Sequence, residues 1–62
     1  MEYVVTLYLF KSDEILVERC TDVDGVRDLN FRLENLVNFY EAKTQGSVMV
    51  LNVSHLGKLY ED

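Results

Sequence analysis

The sequence lacks proline and tryptophan altogether and has one cysteine and one histidine among its 62 residues. The lone cysteine, Cys20, excludes an intramolecular disulfide framework and a zinc site built on paired cysteines. Cys20 and His55 are the one possible nucleophile–base pair. Because Cys20 alternates with Leu16 and Glu18 along a predicted strand, a packing role is favoured over a catalytic one.

Motifs for catalysis, metals and cofactors are also missing. The sequence has no glycine-rich phosphate loop, no HExxH and no nucleophile elbow. Asp22, Asp24 and Asp28 fail the spacing of an EF-hand loop, because with Gly25 at its sixth position the twelfth is Phe31. We therefore expect no catalytic residues, no metal and no cofactor. An enzyme whose site is completed across subunits remains open as an alternative.

Positive charge is scarce and scattered. Six basic residues stand against eleven acidic ones, which gives a net charge of −5. A protein that binds a phosphate backbone needs clustered lysines and arginines, so we expect no direct nucleic-acid binding. An acidic mimic of nucleic acid, which blocks a DNA-binding enzyme, is the main alternative function. A mimic needs a dense stripe of one sign, whereas bases interleave with the acids here.

Long apolar runs are absent too. The longest, Tyr3 to Phe10, has about eight residues, whereas a membrane span needs roughly 20. No positive leader precedes this run and no small-residue cleavage site follows it. We expect a cytoplasmic protein with reduced Cys20 and no membrane attachment.

The composition is that of a small folded protein. Hydrophobic residues make up 48% and charged residues 27% of the chain, unlike a disordered sequence. We expect one domain, residues 1–62. A domain of this size buries only about 60% of the surface that its unfolded chain exposes, so its core is thin.

Two strands are predicted before any helix. Residues 3–10 are rich in β-branched and aromatic side chains, and both faces of this strand are apolar, which predicts a central strand covered on both sides. After a short polar turn, residues 15–21 form the second strand. Its two faces carry Ile15 and Val17 on one side, and Leu16, Glu18 and Cys20 on the other.

The periodicity becomes helical over residues 24–45. We expect Asp22 or Asp24 to cap the first turn, Asp28 and Arg32 to pair at i, i+4, and Gly46 to end the helix. One apolar stripe should face the sheet; it consists of Val26, Leu29, Leu33, Leu36, Val37 and Tyr40.

Residues 47–53 form the third predicted strand, followed by an ambiguous tail, 54–62. Val48 and Val50 lie on one face of this strand, and Met49, Leu51 and Val53 on the other. The predicted fold is α+β with the order ββαβ: a three-stranded antiparallel sheet in the order 2-1-3, with the helix packed on one face. This order places the most apolar strand in the middle.

The back of the predicted helix carries apolar residues where polar ones are expected. At 100° per residue, Phe31, Phe39 and Ala42 fall opposite the core stripe, with Asn35 between them. Such a cluster indicates a contact surface. The plainer alternative is that single exposed apolar residues are common, or that the tail folds over them.

The sheet gives a second argument for a partner. One helix covers only one face of three strands, so the other face must meet the tail, a second copy or another protein. Tyr8 and Phe10, on the face of Val4, are the strand residues that we expect at this interface. If the helix covers that face instead, the free residues are Tyr3, Val5 and Leu7. Because closed two-fold dimers are the commonest oligomers, we expect a homo-oligomer and favour a dimer. The alternative is a cover formed by Leu56, Leu59 and Tyr60.

These patterns predict a small, acidic, non-enzymatic protein that interacts with other proteins and associates with itself. Another protein is a possible second partner. Short acidic chains without motifs are often accessory products of phages or mobile elements, and composition alone indicates that source here.

Overall fold

The computed structural model of the chain describes residues 1–56. It contains strands β1 (Tyr3–Leu9) and β2 (Glu14–Cys20), helix α1 (Gly25–Thr44) and strand β3 (Val48–His55). The strands form one antiparallel sheet in the order β2-β1-β3, and α1 packs on one of its faces. The predicted α+β fold, with ββαβ order and the first strand in the middle, is confirmed.

The core lies between β1 and α1. Val5, Leu7 and Leu9 point from β1 toward the helix and are almost inaccessible to solvent. Cys20, Val23 and Val48 complete the set of buried residues. No residue of α1 is fully buried. The helix instead packs half-exposed side chains against this core: Leu29, Leu33, Leu36, Val37 and Tyr40.

A β-bulge in β3 changes which of its residues face the helix. Leu7 pairs with Val50 and Thr6 pairs with Asn52, so Leu51 is an extra residue between them. Because strand side chains alternate, one inserted residue moves everything after it to the opposite face. Val53 therefore packs against the core instead of sharing the face of Met49 and Leu51, and the predicted alternation is wrong beyond the bulge.

The predicted core stripe of α1 is wrong at Val26, which is exposed. Twenty residues of helix span about 30 Å, whereas the seven residues of β1 span about 23 Å, so the helix is longer than the sheet that it covers. Its first turn takes up the excess length. The valine that is buried at this end is Val23, whose N–H donates to the carbonyl oxygen of Met1 at 2.8 Å.

The start of α1 is held by Asp28 and Arg32. Asp24 is the N-cap residue, but its ψ of 73° lies outside the extended range and its side chain makes no capping hydrogen bond. Its N–H donates to Asp28 Oδ2 at 2.9 Å, and Arg32 lies 3.4 Å from the same carboxylate. Arg32 also donates to the carbonyl oxygens of Thr21 and Asp22. The predicted Asp28–Arg32 pair is confirmed, whereas capping by the Asp24 side chain is wrong.

Gly46 does not end the helix in the way predicted. The left-handed residue after α1 is Gln45, with φ 57°. Gly46 is instead a point of close approach, because a Cβ there would lie 2.8 Å from Cβ of Lys11 in the β1–β2 turn. Next to this contact, the N–H of Phe10 donates to the carbonyl oxygen of Ser47 at 3.1 Å. The exit from the helix therefore packs tightly against the first turn.

Element ends differ from the predicted ones by one or two residues. Phe10 lies just after β1, and α1 is one residue shorter than 24–45 at each end. Ser54 and His55, predicted to begin the tail, belong to β3. The predicted tail contacts of Leu59 and Tyr60 lie outside the described residues.

Substitution Gly46→Ala should destabilise the fold by about 1–3 kcal/mol, the usual cost of forcing an extra carbon into a filled space. Chemical denaturation gives the free energy of unfolding. Because the clash is with Cβ of Lys11, the double variant Gly46→Ala/Lys11→Gly should lose less stability than the two single variants together. Strict additivity in this double-mutant cycle would contradict the close approach.

Candidate functional site

The side of the sheet away from α1 has no covering element among residues 1–56, and it exposes large apolar side chains. We call the apolar part of this side the open-face patch. β1 and β2 position most of it, since Tyr8 lies opposite Ile15, and Thr6 lies opposite Val17. The open-face patch consists of Tyr8, Phe10, Ile15, Val17, Met49 and Leu51.

Contacts between neighbouring strands hold the open-face patch together. Tyr8 is its centre, because it pairs with Ile15 on β2 and with Met49 on β3. The ring of Phe10 packs edge-on against Tyr8, with 4.8 Å between centroids. Leu51, the extra residue of the bulge, is 45% exposed and is not packed against the core. Ile15, Tyr8, Phe10 and Met49 are therefore neighbours on one sheet face and not isolated side chains.

Polar groups lie at the other end of this sheet face and satisfy one another. Arg19 forms an ion pair with Glu2. On β3, Asn52 Nδ2 donates to Ser54 Oγ at 3.0 Å. The face therefore divides into an apolar half and a polar half, and its one ion pair is neutral as a unit.

The Tyr8 hydroxyl donates a hydrogen bond to Asp13 Oδ1 in the β1–β2 turn. This hydrogen bond to a carboxylate raises the pKa of Tyr8 above its ordinary value of 10.0, with smaller contributions from desolvation and from the negative charge of Asp13. Asp13 has a left-handed backbone in this turn, with φ 55°. The bond fixes the hydroxyl of Tyr8, the central residue of the open-face patch, to the β1–β2 turn.

The second predicted contact surface lies on the back of α1. Phe31 and Phe39 are 60% and 57% exposed, and Asn35 and Ala42 on the same side of the helix are exposed as well. We call these four residues the helix-back surface. Phe39 packs edge-on against Tyr40, and Lys43 Nζ lies 5.8 Å from the Phe39 ring centroid.

The structure places the six predicted interface residues on two opposite sides of the molecule. Tyr8 and Phe10 lie on the open sheet face, whereas the helix-back surface points away from the sheet on the far side of α1. Four patch residues were not predicted as contacts: Ile15, Val17, Met49 and Leu51. Strand alternation already placed Ile15 and Val17 together, opposite the face of Cys20. What was missing was the register that aligns them with Tyr8.

Cys20 and His55 are not within hydrogen-bond reach of each other in one chain. Both flank Tyr3, Cys20 on β2 and His55 on β3, so two strand spacings, about 10 Å, separate them. The Tyr3 ring stacks on His55 with 4.8 Å between centroids, and Cys20 is buried. Within the described residues we find no cavity and no group of three side chains suited to hold a metal.

Comparison with protein-family models, curated proteins and solved structures finds no significant match to this chain. No helix within residues 1–56 has the length and apolar content that crossing a bilayer requires. The functional argument therefore rests on the geometry of the two exposed surfaces.

The Tyr8–Asp13 hydrogen bond predicts a change of stability at alkaline pH. Because the pKa of Tyr8 is raised on folding, the bond's contribution is fully present below the unfolded value, near 10, and is lost as pH rises through the folded value. Asp13→Asn should abolish part of this loss and bring the pKa of Tyr8 back toward 10. Asparagine tolerates the left-handed backbone of position 13, so the turn is kept.

Phenolate absorbance during an alkaline titration measures this pKa. Tyr8→Phe identifies the Tyr8 component, because it removes that phenol and leaves the others. A Tyr8 component that titrates at the same pH in wild type and in Asp13→Asn would contradict the bond.

Proposed function

We propose that this chain acts through protein–protein contact, without a catalytic step, and that it associates with itself. The observation that carries the proposal is the exposure of apolar side chains on both outer surfaces of a two-layer structure. The largest contiguous apolar surface on a monomeric protein is often a functional one. Here the open-face patch and the helix-back surface are each formed by regular secondary structure, which fixes their shape.

The thin core supports self-association. The described residues bury six apolar side chains, and none of them is in α1. For chains this short, the free energy gained by burial and the cost of ordering the chain nearly cancel. The one cysteine cannot form an internal disulfide. Further burial between chains is the remaining source of stability.

The arrangement of Cys20 and His55 supports a role without catalysis. A nucleophile must lie within hydrogen-bond reach of its base, and here β1 lies between them. The buried, unpaired Cys20 is compatible with the reducing cytoplasm, where we place the protein.

Self-association predicts a stability that depends on protein concentration. We expect sedimentation equilibrium to give a mass of twice 7.2 kDa at micromolar concentration. The melting temperature should rise by roughly 5 °C for each tenfold increase in concentration, since dissociation accompanies unfolding. A mass of 7.2 kDa with a melting temperature independent of concentration would contradict self-association.

The helix-back surface is our candidate for a second, different protein. Phe39→Ser should lower the affinity for such a partner about tenfold or more, because a large exposed aromatic side chain is lost from the interface. This loss of affinity should depend little on salt concentration. Glu34→Gln, on the flank of the same helix, is the matched control. A nucleic-acid mimic would show the reverse, with affinity that falls steeply in salt and depends on Glu34.

A further inference from the structure

The six side chains of the open-face patch are uncharged on a chain of net charge −5, and the carboxylate beside them, Asp13, accepts the hydrogen bond of Tyr8. Glu18 lies on the inner side of β2, where Tyr40 donates to it. Asp28, Glu34 and Glu41 lie on α1. On the open face, the carboxylate of Glu2 is paired with Arg19. Two copies that meet through the apolar half of this face therefore bury uncharged patch side chains, and the Asp13 carboxylate at its edge already accepts a hydrogen bond from Tyr8.

The size of the open-face patch suits a small dimer interface. Phe10, Ile15, Val17, Met49 and Leu51 are each between 45% and 66% exposed. If a large side chain presents about 200 Å², these five alone offer on the order of 500 Å² of apolar surface. A standard interface buries about 800 Å² per partner. Half-buried Tyr8, Thr6 and Val4 add further area, so the interface lies at the small end of the standard range.

We propose that the open-face patch binds the same patch of a second copy of this chain, related by a two-fold axis, so that the two sheets stack face to face. The proposal rests on the self-association proposed above and assigns the surface responsible. Sheets pack face to face at about 10 Å, and identical twisted sheets align at about 30°. The two helices lie outermost, and the helix-back surfaces remain free.

Charge also argues for a second copy over a different protein. A partner that is recruited by electrostatic steering needs a charged surface to meet, whereas the patch side chains are uncharged and the one carboxylate bonded to them is that of Asp13. Its best complement is another neutral apolar sheet face, and a two-fold axis supplies one of matching twist and shape. The dimer should therefore hold, or tighten, as salt screens the repulsion between the two acidic chains.

Two valines provide a matched test. Val17 is 66% exposed in the open-face patch, and Val26 is 73% exposed on the first turn of α1. Val17→Lys and Val26→Lys make the same change in charge and size at similar exposure. In sedimentation equilibrium, Val17→Lys should raise the dimer dissociation constant roughly 100-fold or more. The reason is that both copies carry the new lysine, so the two-fold interface buries two charges. Val26→Lys should leave that constant within about threefold of wild type.

Val17→Thr keeps the β-branched side chain and therefore the strand propensity. It should raise the dissociation constant roughly tenfold and settle the result if Val17→Lys fails to fold. Phe39→Lys tests the opposite surface, and circular dichroism of each variant verifies the fold.

Each result has a defined meaning. Dimers lost in Val17→Lys or Val17→Thr and kept in Val26→Lys and Phe39→Lys would establish the interface. Wild-type dimerisation in both Val17 variants would overturn it while leaving self-association intact, and loss in Phe39→Lys alone would move the interface to the helix back. A wild-type monomer at all concentrations would overturn both proposals. If deletion of residues 57–62 turned such a monomer into a dimer, the chain's own end would be the occupant.

Discussion

The helix–sheet contact is the interaction on which the rest of this structure depends, and the number of sheet faces limits what this contact can cover. A sheet has two faces, and the described part of the chain has one helix to cover them. β1 is apolar on both faces, so whichever face the helix covers, apolar side chains remain on the other. The helix covers Val5, Leu7 and Leu9 and leaves half-buried Tyr8 and its exposed neighbours on the other face.

The same contact explains why β2 is held differently from β3. α1 packs mainly over β1 and β3, so the inner face of β2 lies at the margin of the helix. A charged residue is tolerated there, because Glu18 is only half-buried and accepts a hydrogen bond from Tyr40. That bond raises the pKa of Tyr40 above its ordinary value. A hydrogen bond therefore stabilises the edge of the helix–sheet contact, whereas apolar packing stabilises its centre.

Local patterns were enough to predict the elements and the topology. β-branched and aromatic residues identified β1, and the apolar faces of β1 placed it in the middle of the sheet. Each wrong prediction arises from a difference in length between two elements that pack or pair. Val53 changed face because β3 has one more residue than β1 across the bulge, and Val26 is exposed because α1 is longer than the strands beneath it. Neither mismatch can be read from one segment alone.

For the same reason, the helix-back surface could be predicted from the sequence, whereas most of the open-face patch could not. Phe31 and Phe39 could be found from helical periodicity, which is a property of one element. The open-face patch needs the register of three strands, because Ile15 and Met49 become neighbours only through Tyr8. Alternation gave the faces of β2 correctly, but it carried no information on which residues of the other strands shared them.

The separation of the two surfaces has a consequence for how such a protein works. Stacked through their open faces, two copies place their helix-back surfaces on opposite outer sides of the dimer. One copy of a small partner cannot reach both sides, so the dimer that we propose would present two equivalent and independent sites. A partner that is itself multivalent would then bind with higher affinity, because the dimer links two sites. This increase in affinity would require the open-face contact, although no partner residue touches that contact.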